Sequence, residues 1–177
     1  MPSTTQRLAE AIHAAVDPAS ERELLAHGVS GKWSAAEVLE HLRRTYAGTC
    51  KGLERLVNEG KSRATTPSLK QRVGQFAVIT LGKMPEGRTA PKETAPKDGE
   101  VSSAVRDDIF TQLTKLDGLL DTAEQKFGNA KIMDHPVLGA LSPKQWRKFH
   151  YVHGMHHVKQ LHERIAAAKC MPQAAAQ

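Results

Sequence analysis

The chain has 177 residues, a formal net charge of +6, 40% hydrophobic residues and only 5% aromatic ones. That length fits one domain with a core of its own, so neither disulfides nor a metal are obligatory for folding. No stretch approaches the roughly 20 apolar residues of a membrane span, the first residues lack a basic region followed by an apolar run, and Cys50 and Cys170 stand too far apart for a Cys-x-x-Cys pair; the expectation is a cytoplasmic protein with no membrane partner.

Thr4 to Val16 forms the first predicted helix, with Leu8, Ile12, Ala15 and Val16 at helical spacing. Asp17-Pro18 follows, where Asp caps and Pro opens a continuation through Glu21 to His27; one kinked helix or two short ones satisfy the pattern equally. Ser34 and Glu37 make a capping box after Trp33, and the helix they start runs to about Asn58, ended by Glu59-Gly60. Val38, Leu42, Tyr46, Leu53 and Leu56 share one of its faces.

From residue 60 to 102 the chain becomes rich in Pro, Gly, Thr and Lys, and only Ser68 to Leu81 has enough apolar residues for a short helix. Between Lys61 and Lys97 lie eight basic residues against Glu86 and Glu93, so this connection alone carries the whole net charge. It reads as a solvated mobile loop, or else as a lid attracting an anionic substrate, in which case charge reversal at Arg72 or Lys83 weakens binding. A general nucleic-acid reading ranks last, because the basic residues form no stripe along a long element with aromatics interleaved.

Ser103 to Phe127 predicts a further long helix, with Val105, Ile109, Leu113, Leu116, Leu120 and Ala123 as its apolar stripe and Gly128-Asn129 closing it. After a loop containing Asp134-His135-Pro136 and Leu138-Gly139, Ser142-Pro143-Lys144-Gln145 combines cap, first-turn Pro and capping-box Gln, opening a helix to about Ala168. β-branched runs are scarce throughout. The pattern predicts an all-α four-helix bundle in one domain over residues 1–170, with a long crossover between the second and third long helices and a frayed tail at 171–177.

Nine histidines are present, five of them between His150 and His162. On a helix, Trp146, Phe149, His157 and Gln160 fall within about 40° of His153, with His150 and His156 about 60° to either side. Imidazoles at i and i+4 can converge on one ion. A third ligand must come from elsewhere, and His41 is the candidate: it sits beside the apolar stripe of its helix, in line with Thr45, Gly48 and Gly52, small residues that let another helix approach. Three imidazoles and an open position describe a catalytic type of site. The alternative is that the His153/His157 pair is ordinary surface or core histidine, as we read His13, His27 and His162. Gly154 stands where a His-Glu-x-x-His peptidase has its Glu, so that chemistry is excluded.

Trp33-Ser34, then after three residues Val38-Leu39-Glu40-His41-Leu42, forms one block. His135-Pro136-Val137-Leu138-Gly139-Ala140-Leu141-Ser142, Gln145-Trp146 and His153-x-x-His156-His157-x-x-Gln160-Leu161 form another. Together they resemble an uncharacterised branch of the DinB/YfiT-like superfamily. The resemblance implies an up-down-down-up bundle, often a homodimer, with zinc or nickel on His41, His153 and His157. It also implies a small-molecule substrate and, as in characterised relatives, a low-molecular-weight thiol used by S-transferases or isomerases. His150 and His156 are then either supporting or proton-handling groups, or simply packed; Gln160 orients a ligand or caps the pocket, and Trp146 belongs to the core. The competing expectation is a catalytically silent metal- or ligand-binding stress-response module.

Overall fold

The computed structural model describes residues 3–85, 87, 90–96 and 103–171. Among them are six α-helices and one small sheet: α1 (Thr4–Val16), α2 (Glu21–Leu25), α3 (Ala35–Glu59), α4 (Leu69–Gln75), α5 (Ser103–Phe127), β1 (Met133–His135), β2 (Gly139–Leu141) and α6 (Pro143–Lys169), with a π-helical turn Phe76–Thr80 after α4. Part of the basic connection (Glu86, Arg88, Lys97) and most of the expected frayed tail, residues 172–177, lie outside the described residues.

The helices start where side chains can satisfy free backbone donors. Ser3, Ser20, Ser34, Ser68 and Ser142 each accept from the amide three residues on, and the Gln or Glu there bonds back. α3 ends at Gly60, whose φ of 67° is open to glycine without strain. The long helices pack through their predicted stripes: Leu8 and Ile12 from α1, Leu42, Tyr46, Leu53 and Leu56 from α3, Ile109 to Leu120 from α5, and Trp146, Leu161 and Ile165 from α6 enter one core. Each such side chain contributes about 1.5–3 kcal/mol of burial. α3 packs mainly on α5 and α1 on α6, while α6 also touches α3 and α5.

Three local expectations change. Asp17 does not open a second helix; it is the C-cap of α1, and Ser20, in a box with Glu23, starts a shorter α2 that stops at Leu25, after which Ala26 is extended. The segment read as a loop around His135 is an antiparallel hairpin pairing Met133 with Leu141 and His135 with Gly139. Strands of three residues are too short to show a period, and this one is held from outside, by Gln75 Nε2 donating to the carbonyls of Leu138 (2.7 Å) and Ala140 (3.1 Å). Among the described residues nothing lies within 4 Å of a Cβ added at Gly48; at Gly52 it would meet Met133 Sδ at 2.6 Å, so the hairpin uses that room.

A salt-bridge cluster ties α3 to α5. Glu40, fully buried on α3, accepts two bonds from the Arg43 guanidinium at 2.6 and 2.8 Å, and Arg43 reaches on to Asp108 of α5 at 3.1 Å. No described helix is long and apolar enough to cross a membrane.

Candidate metal centre

His41 lies in the second turn of α3, and His153 and His157 lie one turn apart on α6, where these two helices meet. The structure brings the three together, each less than a tenth exposed. His153 Nε2 is 3.3 Å from His41 Nε2 and 3.1 Å from His157 Nε2. One ligand nitrogen from each of the three lies within 4.8 Å of the others. Nitrogens bound at about 2.0–2.1 Å to a tetrahedral ion sit ~3.3–3.4 Å apart, so these two edges, one at 3.3 Å and one slightly shorter at 3.1 Å, are close to the spacing of ligands around a metal.

The outer sides of two of the rings fix their tautomers. His41 Nδ1 is 2.9 Å from the Thr94 carbonyl oxygen, which can only accept, so that nitrogen donates. His157 Nδ1 donates to Gln160 Oε1 at 2.8 Å, and Gln160 Nε2 in turn donates to His156 Nε2 at 3.2 Å. The Nε2 atoms of His41 and His157 are therefore lone pairs, both facing His153 Nε2. That nitrogen can donate one proton to only one of them. A cation shared by all three removes the remaining clash of lone pairs, so the donor set fits a divalent metal.

Burial keeps the site neutral. It lowers His157 to about 3, helped by nearby His41 and opposed by the bond to Gln160. His153 is pushed far below the ordinary histidine value, first by burial and then by His157 and His41. His41 is lowered by burial against the opposing Thr94 carbonyl. Neutral imidazole is the ligating form.

Aromatic rings close the surroundings. Phe149 stacks on His153 with ring centroids 5.3 Å apart, and Trp33 stands 5.3 Å from His41. Trp146 is core, its indole donating to the Met133 carbonyl at 3.2 Å. His150 is 2% exposed between Tyr46, Trp146 and Phe149; its ring nitrogens, the Tyr46 hydroxyl and His153 Nδ1 are buried side-chain polar atoms without a protein partner. His13 stacks on Phe110 and His27 faces Glu37, and neither belongs to the converging trio.

Two contributors escaped the sequence reading. Thr94 acts through its backbone carbonyl, which leaves no side-chain signal; it also means that the basic crossover, read as solvated loop or lid, supports a site residue. Arg44 holds the adjacent Glu93 carbonyl at 2.8 Å. His135 was visible only as part of a motif: its Nδ1 accepts the Val137 and Leu138 amides, both at 3.1 Å, so its proton sits on Nε2, and burial lowers it to about 4.

Gly154, the position that excluded a peptidase, is explained by packing. A Cβ there would lie 2.5 Å from Leu8 Cδ1 and 3.0 Å from the Tyr46 hydroxyl. α1 and α3 close onto α6 at this residue, between two candidate ligands, and a Glu has no room.

No curated protein and no solved structure matches the chain. A family model does match, over residues 4–164, a span that contains all three histidines, both motif blocks and the hairpin; the chain belongs to the family described as Protein of unknown function (DUF1569).

Proposed function

We propose that the protein is a divalent-metal-dependent enzyme of the thiol-dependent S-transferase or a related class, built as a DinB/YfiT-like bundle in up-down-down-up order. The observation that carries the metal reading is the convergence of three buried neutral imidazoles, two of them fixed from behind as Nδ1–H donors. His41, His153 and His157 hold the ion, zinc or nickel, and Gln160 with Thr94 orients two of them. When bound, such an ion supplies Lewis acidity that lowers the pKa of a thiol or water reaching it. The chain's own part is to present neutral nitrogens and to exclude water with Phe149 and Trp33. The resemblance supports the order of the bundle, the thiol co-substrate and a homodimer; the 43-residue connection from 60 to 102 fits two neighbouring long helices, α3 and α5, running the same way.

Metal content of freshly purified protein, compared with His41→Ala, His153→Ala and His157→Ala, tests the ligands. Stoichiometric zinc or nickel in the parent and its loss in each variant is expected; no metal in the parent and no uptake on titration overturns the reading. Thiol-dependent conjugation or hydrolysis lost in His157→Ala with the fold intact tests the enzyme class.

A second reading, a catalytically silent module, is favoured by one fact: every candidate ligand is at most 7% exposed. Unfolding of the protein on chelation, with no thiol-dependent turnover, decides for it.

A further inference from the structure

Large hydrophobic side chains exposed among the described residues are not scattered. Four of the seven follow one another on α4, the π turn and the residue that caps it: Leu69 (78%), Val73 (63%), Phe76 (57%) and Leu81 (52%); a fifth, Val137 (43%), stands in the hairpin turn beside which α4 packs. Leu69, Val73 and Phe76 are spaced four and three residues apart, one line along a helix. The amphipathic sense of this helix is inverted. Its polar Gln75 points inward to the hairpin carbonyls, Val78 alone of its apolar residues is buried, and the apolar line faces water. Exposed apolar surface gathered in one patch marks an interaction site.

Charge identifies the partner. Lys70 and Arg72 stand exposed on either side of the apolar line and Lys83 beyond its end. From Lys61 to Pro85 there are five basic residues and no acidic one. Side chains this exposed project as a ridge, which suits insertion better than the capture of a peptide in a groove. A second copy docking symmetrically through this face would set the three cations against their own counterparts.

We propose that α4 and the following turn are a docking surface for an anionic lipid bilayer. Leu69, Val73 and Phe76 enter the headgroup boundary while Lys70, Arg72 and Lys83 lie against lipid phosphates. A peripheral contact of this kind needs no spanning helix, so it departs from the expectation of no membrane partner without contradicting the observation behind it. It does not depend on the metal reading.

The test is flotation of the full chain with vesicles of phosphatidylglycerol or of phosphatidylcholine, at low and at physiological salt. Expected are binding to phosphatidylglycerol that weakens as salt rises, at least tenfold weaker binding to phosphatidylcholine, and at least a tenfold loss in Val73→Glu/Phe76→Glu and in Lys70→Glu/Arg72→Glu, with melting temperature retained. No binding of the parent to phosphatidylglycerol at low salt overturns the proposal, as does binding that either double variant leaves intact. A concentration-dependent dimer dissolved by Val73→Glu/Phe76→Glu, without vesicle binding, overturns it in favour of self-association.

Discussion

Replacing Gly154 by Ala and Gly118 by Ala makes one chemical change at two helical sites, and the structure predicts opposite signs. At Gly154 the new methyl would meet both branch carbons of Leu8, at 2.5 and 2.6 Å, and the Tyr46 hydroxyl at 3.0 Å. Leu8 is 0% exposed, so its branches cannot swing into solvent. Overpacking of this kind costs about 1–3 kcal/mol. The gain from replacing Gly in a helix offsets about 1 kcal/mol, leaving a net loss of up to about 2 kcal/mol. For a chain of this length each kcal/mol moves the melting temperature by roughly 2–4 °C, so a drop of up to about 8 °C is expected. At Gly118 on α5 a Cβ meets nothing within 4 Å among the described residues, and only the gain of up to about 1 kcal/mol remains. Urea denaturation and thermal melts followed by circular dichroism measure both. Gly154→Ala as stable as Gly118→Ala would show that α1 and α3 do not close onto α6 between the two histidines.

Three further outcomes follow from the site and its supports. Metal-free protein should lose stability as pH falls below 6.5: His135 is lowered to about 4 and His150 and His157 to about 3 by burial, so between those values and 6.5 the unfolded chain binds protons that the folded one refuses. Each contributes about 1.4 kcal/mol per pH unit in that window and nothing above it; urea midpoints that stay level from pH 8 to 4.5 would contradict their burial. Glu40→Ala strips the Arg43 guanidinium of its fully buried partner and should cost about 3 kcal/mol, the low end for a broken buried pair because Arg43 keeps Asp108 and is partly solvated. An unchanged urea midpoint would refute that role. Gln160→Ala frees the His157 ring, and chelator competition should show metal affinity roughly 10–100-fold weaker with melting of the metal-free protein little changed; equal affinity would remove Gln160 from the site.

The sequence by itself determined the helices. Capping boxes at Ser34 and Ser142, the glycines at 60 and 128, and the apolar stripes of α1, α3 and α5 are local signals, acting within one or two turns, and the structure follows them to within a residue or two. His153 and His157 belong to the same category, since a four-residue interval on one helix fixes their proximity without reference to the rest of the chain.

Tertiary structure decided what depends on distant segments. The helix with His41 could be read, but its ring meets His153 only because α3 packs on α6, and periodicity on one helix carries no information about which turn of another it faces. The Thr94 carbonyl reaches His41 from 53 residues away through a group that every residue possesses. The hairpin around His135 takes its hydrogen bonds partly from Gln75, on an element whose apolar line points outward against the usual rule. Gly154 shows the division most plainly: its sequence position excluded one chemistry, while the reason no side chain stands there lies in Leu8 and Tyr46, which reach it from two other helices.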